Sequence, residues 1–124
     1  MFMIVAGFGF RKEATVGSLE DAYKRACEAV SPAFLATVDD KAAAEAFRLF
    51  AEDIGLPVKA VPADILKQQT TITQSTASKE RFGTGSVAEA AALAVAGDGA
   101  RLLTARQVSA DKLATCALAI RENT

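Results

Sequence analysis

Apolar positions along the chain alternate between short unbroken runs and helical stripes. Met1 to Ala6 is an apolar run that reads as a buried first strand, closing in the turn-like stretch Gly7-Phe8-Gly9-Phe10-Arg11-Lys12. Leu19, Ala22, Tyr23, Ala26, Cys27 and Val30 follow at helical spacing. They predict a helix over about 19–30, with Ser18 as its N-cap and Pro32 beyond its end. Ala33 to Val38 predicts a second strand. Asp39 or Asp40 then caps a second helix whose apolar face is Ala43, Ala46, Phe47, Phe50 and Ile54, and Gly55 stops it.

Val58 to Val61 predicts a third strand, and Pro62-Ala63-Asp64 opens a short helix to about Lys67. From Gln68 to Gly85 the chain turns to Gln, Thr and Ser, the composition of a long exposed loop. An alanine-rich helix over Val87–Ala96 ends at Gly97, the turn Asp98-Gly99 follows, and Arg101 to Ala105 reads as a strand. For Leu113 to Ile120 the alanine content argues for helix, while length and position argue for a buried strand; the strand is preferred. The alternation of strands and helices predicts a three-layer α/β/α fold with a mixed, mostly parallel sheet, as a single domain over residues 1–124.

Composition narrows the chemistry. The 124 residues allow one core, and 51% hydrophobic with 23% charged residues is a globular balance. Fourteen basic against fifteen acidic residues give a net charge of -1, which argues against nucleic acid and anionic membrane as partners. The absence of histidine removes Ser-His and Cys-His nucleophiles, imidazole bases and His metal sites, so no metal and no cofactor is expected. Cys27 and Cys116 lie in apolar patterns without C-x-x-C spacing and read as buried reduced thiols. No segment reaches the roughly 20 apolar residues of a membrane span, and the N-terminal run lacks a basic leader, so a cytoplasmic location is expected. Apolar helices of this kind are compatible with a homodimer face, although nothing marks which.

Three places can carry chemistry. Gly83-Thr84-Gly85-Ser86 precedes the alanine-rich helix, with Glu89 three residues after Ser86. This reads as a capping box, Ser86 taking the Glu89 amide and Glu89 returning to the Ser86 amide. It also reads as a ligand site, with Gly83 and Gly85 letting oxygens approach amides at a positive helix end. Gly7 and Gly9 begin like a dinucleotide fingerprint, but Lys12 stands at the third glycine, and Arg11 with Lys12 points instead to carboxylate or phosphate recognition. Thr37, Asp39 and Lys41 follow the second strand, where Asp39 either caps a helix or acts as a base. Lys79 and Arg81 add charge beside Phe82 and the glycines.

The segments Gly7-Phe8-Gly9-Phe10-Arg11-Lys12, Leu35-Ala36-Thr37-Val38-Asp39-Asp40-Lys41, Gly55-Leu56-Pro57 and Gly85-Ser86-Val87-Ala88-Glu89-Ala90-Ala91-Ala92-Leu93 occur in this order. Together they resemble the CobE/CbiG C-terminal domain family of cobalamin (vitamin B12) biosynthesis, most closely its stand-alone members. The resemblance implies a mixed α/β/α domain that works on precorrin-type tetrapyrroles, alongside other enzymes of the pathway. Phe10 stands where that family often has cysteine, so no thiol role carries over to it.

Three functions follow as expectations. The first is a tetrapyrrole-binding auxiliary or carrier, its carboxylate-rich ligand met by Gly7, Gly9, Arg11, Lys12, Thr37, Asp39, Lys41, Gly83, Thr84, Gly85 and Ser86. The second, implied by the resemblance, is a hydrolase that opens a precorrin δ-lactone with release of acetaldehyde, with Asp39 or Glu89 activating water. The third is a nucleotide-binding module built on the G-x-G turn.

Overall fold

The computed structural model describes residues 2–69, 71 and 86–122. Five strands, β1 (Phe2–Phe10), β2 (Phe34–Val38), β3 (Val58–Val61), β4 (Arg101–Val108) and β5 (Ala114–Glu122), form one sheet in the order β3-β2-β1-β5-β4. β1 pairs in parallel with β2, and β2 with β3, whereas β5 is antiparallel to both β1 and β4. Four strands therefore share one direction and only β5 opposes them, which gives the mixed, mostly parallel sheet that the alternation predicted. The segment Leu113 to Ile120, for which a strand was preferred over a helix, forms β5. Its small apolar residues are covered on both faces, which is the environment that suits a central strand.

Among the described residues there are five helices: α1 (Val16–Ala26), α2 (Asp39–Ala42), α3 (Glu45–Ile54), α4 (Ala63–Leu66) and α5 (Val87–Ala96). α1 and α3 cover one face of the sheet. Leu19, Phe47 and Phe50 meet Phe8, Leu35, Cys116 and Leu118 there. The Phe8 ring lies 5.2 Å from Phe50 and 5.6 Å from Phe47, both edge to face. α4 and α5 cover the other face over Val5, Ala36, Val38 and Ala119. None of the helices described is long and apolar enough to cross a membrane.

Several boundaries differ from the sequence reading. α1 begins earlier than expected, because Thr15 rather than Ser18 is its N-cap. Thr15 Oγ1 accepts from the Ser18 amide and Ser18 Oγ accepts from the Thr15 amide, so Ser18 is the far side of the box. Val16 extends the apolar stripe by one turn, and the helix ends at Ala26 instead of Val30. The expected second helix is divided into α2 and α3, and neither Asp39 nor Asp40 makes a side-chain cap. Gly55 stops α3 as expected, at φ +80°.

The largest revision concerns Gly7-Phe8-Gly9. These residues do not form a turn; β1 runs through them to Phe10 and pairs with β5 as far as Phe10↔Ala114. A Cβ on Gly7 would overlap the Ala88 carbonyl oxygen and come 2.6 Å from the Ala92 amide nitrogen. One on Gly9 would come 3.3 Å from the Val87 Cβ. The glycines let the backbone of an alanine-rich helix lie directly on the strand.

Candidate functional site

Because β1, β2, β3 and β4 share a direction, their C-terminal ends lie on one rim of the sheet, together with the start of β5. The end of β1 delivers Arg11 and Lys12, both exposed. Arg11 continues the ladder by donating its amide to the Leu113 carbonyl at 2.8 Å. The end of β2 delivers Asp39, Asp40 and Lys41. α5 starts beside the same edge, since the Ala88 amide nitrogen is 3.5 Å from where a Cβ on Gly9 would stand. The structure thus brings Arg11, Lys12, Asp39, Lys41 and Ser86 to one edge of the molecule. Gly83, Thr84 and Gly85, with Lys79, Arg81 and Phe82, lie outside the described residues.

Three of the expected ligand residues, Thr37, Lys41 and Ser86, have their polar atoms engaged inside the protein. The register of β1 with β2 runs from Val5↔Phe34 to Gly7↔Ala36. Beyond it, side chains of the β2 end take up β1 carbonyls. Thr37 is fully buried and donates its hydroxyl to the Phe8 carbonyl at 2.9 Å. Lys41 donates Nζ to the Phe10 carbonyl at 2.7 Å, and the same Nζ sits 5.1 Å from the Phe10 ring centroid. That ring stacks on Phe47 at 5.5 Å and 11°, so a cation and two stacked rings define this part of the rim. Sequence spacing gave no sign of this arrangement, because Phe10 and Lys41 are brought together only by the β1–β2 pairing. Gly7 is closed off on its α5 side and offers no open backbone there.

The two carboxylates named as water activators differ in access. Asp39 is exposed in the first turn of α2. Glu89 is fully buried in the first turn of α5, and its Oε2 accepts the Arg106 amide of β4 at 2.9 Å. The Ser86 half of the expected capping box is present, Oγ accepting from the Glu89 amide at 3.2 Å. The Glu89 half is corrected. The pairing of β4 with β5 shifts register between Thr104 and Gln107, and the Arg106 amide inside that irregularity takes the Glu89 carboxylate.

The N-terminus of α1 is tied to the same rim by a polar cluster. Asp111 accepts the hydroxyls of Ser109 and Ser18, each at 2.5 Å, and the Leu113 amide at 3.0 Å. These bonds, Ser109 first, hold the Asp111 carboxyl below its ordinary pKa. Asp21 accepts the Ala110 amide at 2.7 Å and pairs with Arg25 at 3.0 Å, and both contacts lower its pKa, the amide more. Among the described residues no group of three or more Cys, Asp or Glu is placed to hold a metal ion. The rim's cations Arg11, Lys12 and Lys41 are interleaved with Glu13, Asp39 and Asp40, so it presents discrete cationic points and no continuous positive field.

The sequence profile described as cobalamin synthesis G C-terminus matches residues 4–119. No curated protein sequence matches the chain significantly. Among solved structures, the chain is similar to CobE, a protein from the cobalamin (vitamin B12) biosynthetic pathway. The TM-score is 0.87 at 28% identity, covering 99% of this chain and 93% of that one. It is also similar to cobalamin biosynthesis protein ChiG from Agrobacterium tumefaciens, with a TM-score of 0.73 at 32% identity over 98% and 100% of the two chains. A structure from Sulfolobus solfataricus, described as a cobalamin biosynthesis protein G homologue, shares the fold at 17% identity and a TM-score of 0.70. There this chain covers 37% of a longer one.

Proposed function

The chain belongs to the cobalamin synthesis G C-terminal family, and from that membership we propose that it binds a precorrin-type tetrapyrrole as an auxiliary or carrier in cobalamin biosynthesis. The observation that carries this reading is the gathering of Arg11, Lys12 and Lys41 beside the start of α5, at the ends of parallel strands, where open α/β sheets place ligands. Precorrins carry many acetate and propionate carboxylates around an apolar ring. Separate cationic points match such side chains, Arg11 by a bidentate pair and Lys12 as a point charge. Amides at the positive end of α5 add a further place for an oxyanion. The half-buried Phe10 ring, stacked on the fully buried Phe47, lies along the same edge and offers apolar surface to the macrocycle.

Carriage fits the carboxylates better than lactone hydrolysis does. Glu89 is buried with an oxygen committed to the Arg106 amide, and Asp39 stands exposed to bulk water in the first turn of α2. Titration of the protein with hydrogenobyrinic acid, followed by visible absorbance, tests the proposal. A saturable spectral change that Arg11→Ala weakens is the expected result. No change at high protein concentration would overturn it, and acetaldehyde released from a δ-lactone precorrin would replace it with the hydrolase.

A further inference from the structure

The turn between β4 and β5 stands on the rim beside Arg11, and the function proposed above makes no use of it. The Ser109 amide donates to the Ala114 carbonyl and the Lys112 amide to the Ser109 carbonyl, both at 2.9 Å, which closes a tight hairpin loop. Lys112 takes φ +64° and is the one non-glycine residue with positive φ among those described. Loops of this kind favour glycine at the left-handed position, because a Cβ there crowds the backbone. Lysine gains nothing locally from that conformation. Residues held in it against their preference gather at functional sites.

The contacts around the turn account for its rigidity but not for its lysine. Asp111 accepts the Ser18 and Ser109 hydroxyls and the Leu113 amide, and Asp21 accepts the Ala110 amide, so the turn is pinned to α1. On its other side the antiparallel register that ends at Phe10↔Ala114 continues through the bond from the Arg11 amide to the Leu113 carbonyl at 2.8 Å. The next position on each chain is a lysine, Lys12 on one and Lys112 on the other, and both are exposed. Among the described residues neither ammonium makes a hydrogen bond or an ion pair. The carboxylate beside Lys112, that of Asp111, is committed to its two hydroxyls and an amide. Neighbouring ammonium groups repel each other, and an anion between them converts that repulsion into attraction. We propose that Lys112 is a ligand-binding residue, which together with Lys12 clamps one carboxylate arm of the macrocycle. The clamp rests on the tetrapyrrole reading and names where one of the ligand's acidic side chains is held.

The test is a titration with hydrogenobyrinic acid at low salt, followed by visible absorbance, on the parent and its variants, with a thermal melt of each. Lys112→Gly should raise Tm by about 3 °C, because relief of the left-handed strain outweighs the added backbone entropy of glycine. The same variant should weaken the ligand about fivefold, the upper range for one exposed ion pair. A purely structural residue would not lose binding while the fold gains stability. Lys112→Arg keeps the charge and should bind within about twofold of the parent. Lys12→Gln should weaken binding by a factor similar to that of Lys112→Gly. The double variant should lose less than the product of the two factors, since both lysines hold one carboxylate. Lys24→Gln, an equal loss of charge in the last turn of α1, should leave the isotherm unchanged. The proposal is overturned if Lys112→Gly binds like the parent, gains no stability, or multiplies in full with Lys12→Gln. A parent protein that gives no spectral change defeats the tetrapyrrole reading and the clamp with it, whereas a parent that binds while Lys112→Gly binds equally defeats the clamp alone.

Discussion

Gly7 offers a sharp test of how α5 is seated. Alanine at this position should be harmless on local grounds. The residue lies in a strand, it is not among the described glycines with positive φ (Gly55, Gly97 and Gly99), and alanine loses less backbone entropy on folding, an advantage of about 0.5–1 kcal/mol. Packing reverses the sign. The added methyl would overlap the Ala88 carbonyl oxygen, stand 2.6 Å from the Ala92 amide nitrogen and 2.9 Å from the Ala92 Cβ. Two of the three obstacles are backbone atoms of a buried helix, so no rotamer change relieves them, and α5 as a whole must lift from β1. Overpacking of this kind costs typically 1–3 kcal/mol, and backbone obstruction on a central strand places Gly7→Ala at the upper end, about 3 kcal/mol.

For a chain of this length the entropy of unfolding converts that loss to a fall in Tm of about 10 °C. Urea denaturation followed by circular dichroism measures the first quantity, and a thermal melt the second. Gly55→Ala is the control. Its φ of +80° strains an L-residue, but nothing lies within 4 Å of the new Cβ, so its cost is the left-handed backbone alone, about 1 kcal/mol. Ala92→Gly added to Gly7→Ala should not restore stability, because it removes only the methyl and weakens the helix by about 1 kcal/mol. A Gly7→Ala protein within 0.5 kcal/mol of the parent (about the usual noise of surface substitutions), or less damaged than Gly55→Ala, would refute the close seating of α5.

Glu89 should act through its acceptor oxygen: Glu89→Gln keeps one for the Arg106 amide, whereas Glu89→Ala strands that amide and costs about 1–3 kcal/mol more in urea denaturation despite alanine's better helix propensity. For Asp111 the folded pKa lies below the ordinary 3.8, so its bonds to Ser109 and Ser18 stabilise the fold above that pH and are lost as pH falls through the folded pKa. Asp111→Asn should therefore show a shallower loss of stability below about pH 4, and a parallel acid titration of the two proteins would contradict this. Hydrogen bonding with Cys116 lowers the pKa of half-buried Cys27, while burial pushes the fully buried Cys116 thiol up. Iodoacetamide on the native protein should label Cys27 first and Cys116 only after unfolding; mass spectrometry showing equal rates would disprove that order.

What the sequence determined by itself is the set of elements whose signals are local. The stop at Gly55, the strand after Pro57 and the Ser86-capped helix all depend on residues within a few positions of one another, and each stands where its pattern predicted; the stripe expected from Leu19 to Val30 did mark a helix, with both ends displaced. The order of motifs also carried the family. Tertiary structure decided the rest, because the same local pattern serves two ends until a distant partner chooses between them. Gly7-Phe8-Gly9 is as good a turn as a strand until α5, some eighty residues later, needs close approach. The Glu89 carboxylate can return to its own cap until the irregular pairing of β4 offers the Arg106 amide. Lys41 and Phe10 meet only because β1 and β2 are neighbours, and Arg121 reaches Gly97 only because β5 inserts antiparallel between β1 and β4. Sheet order is a property of long-range burial, and short-range periodicity carries no record of it.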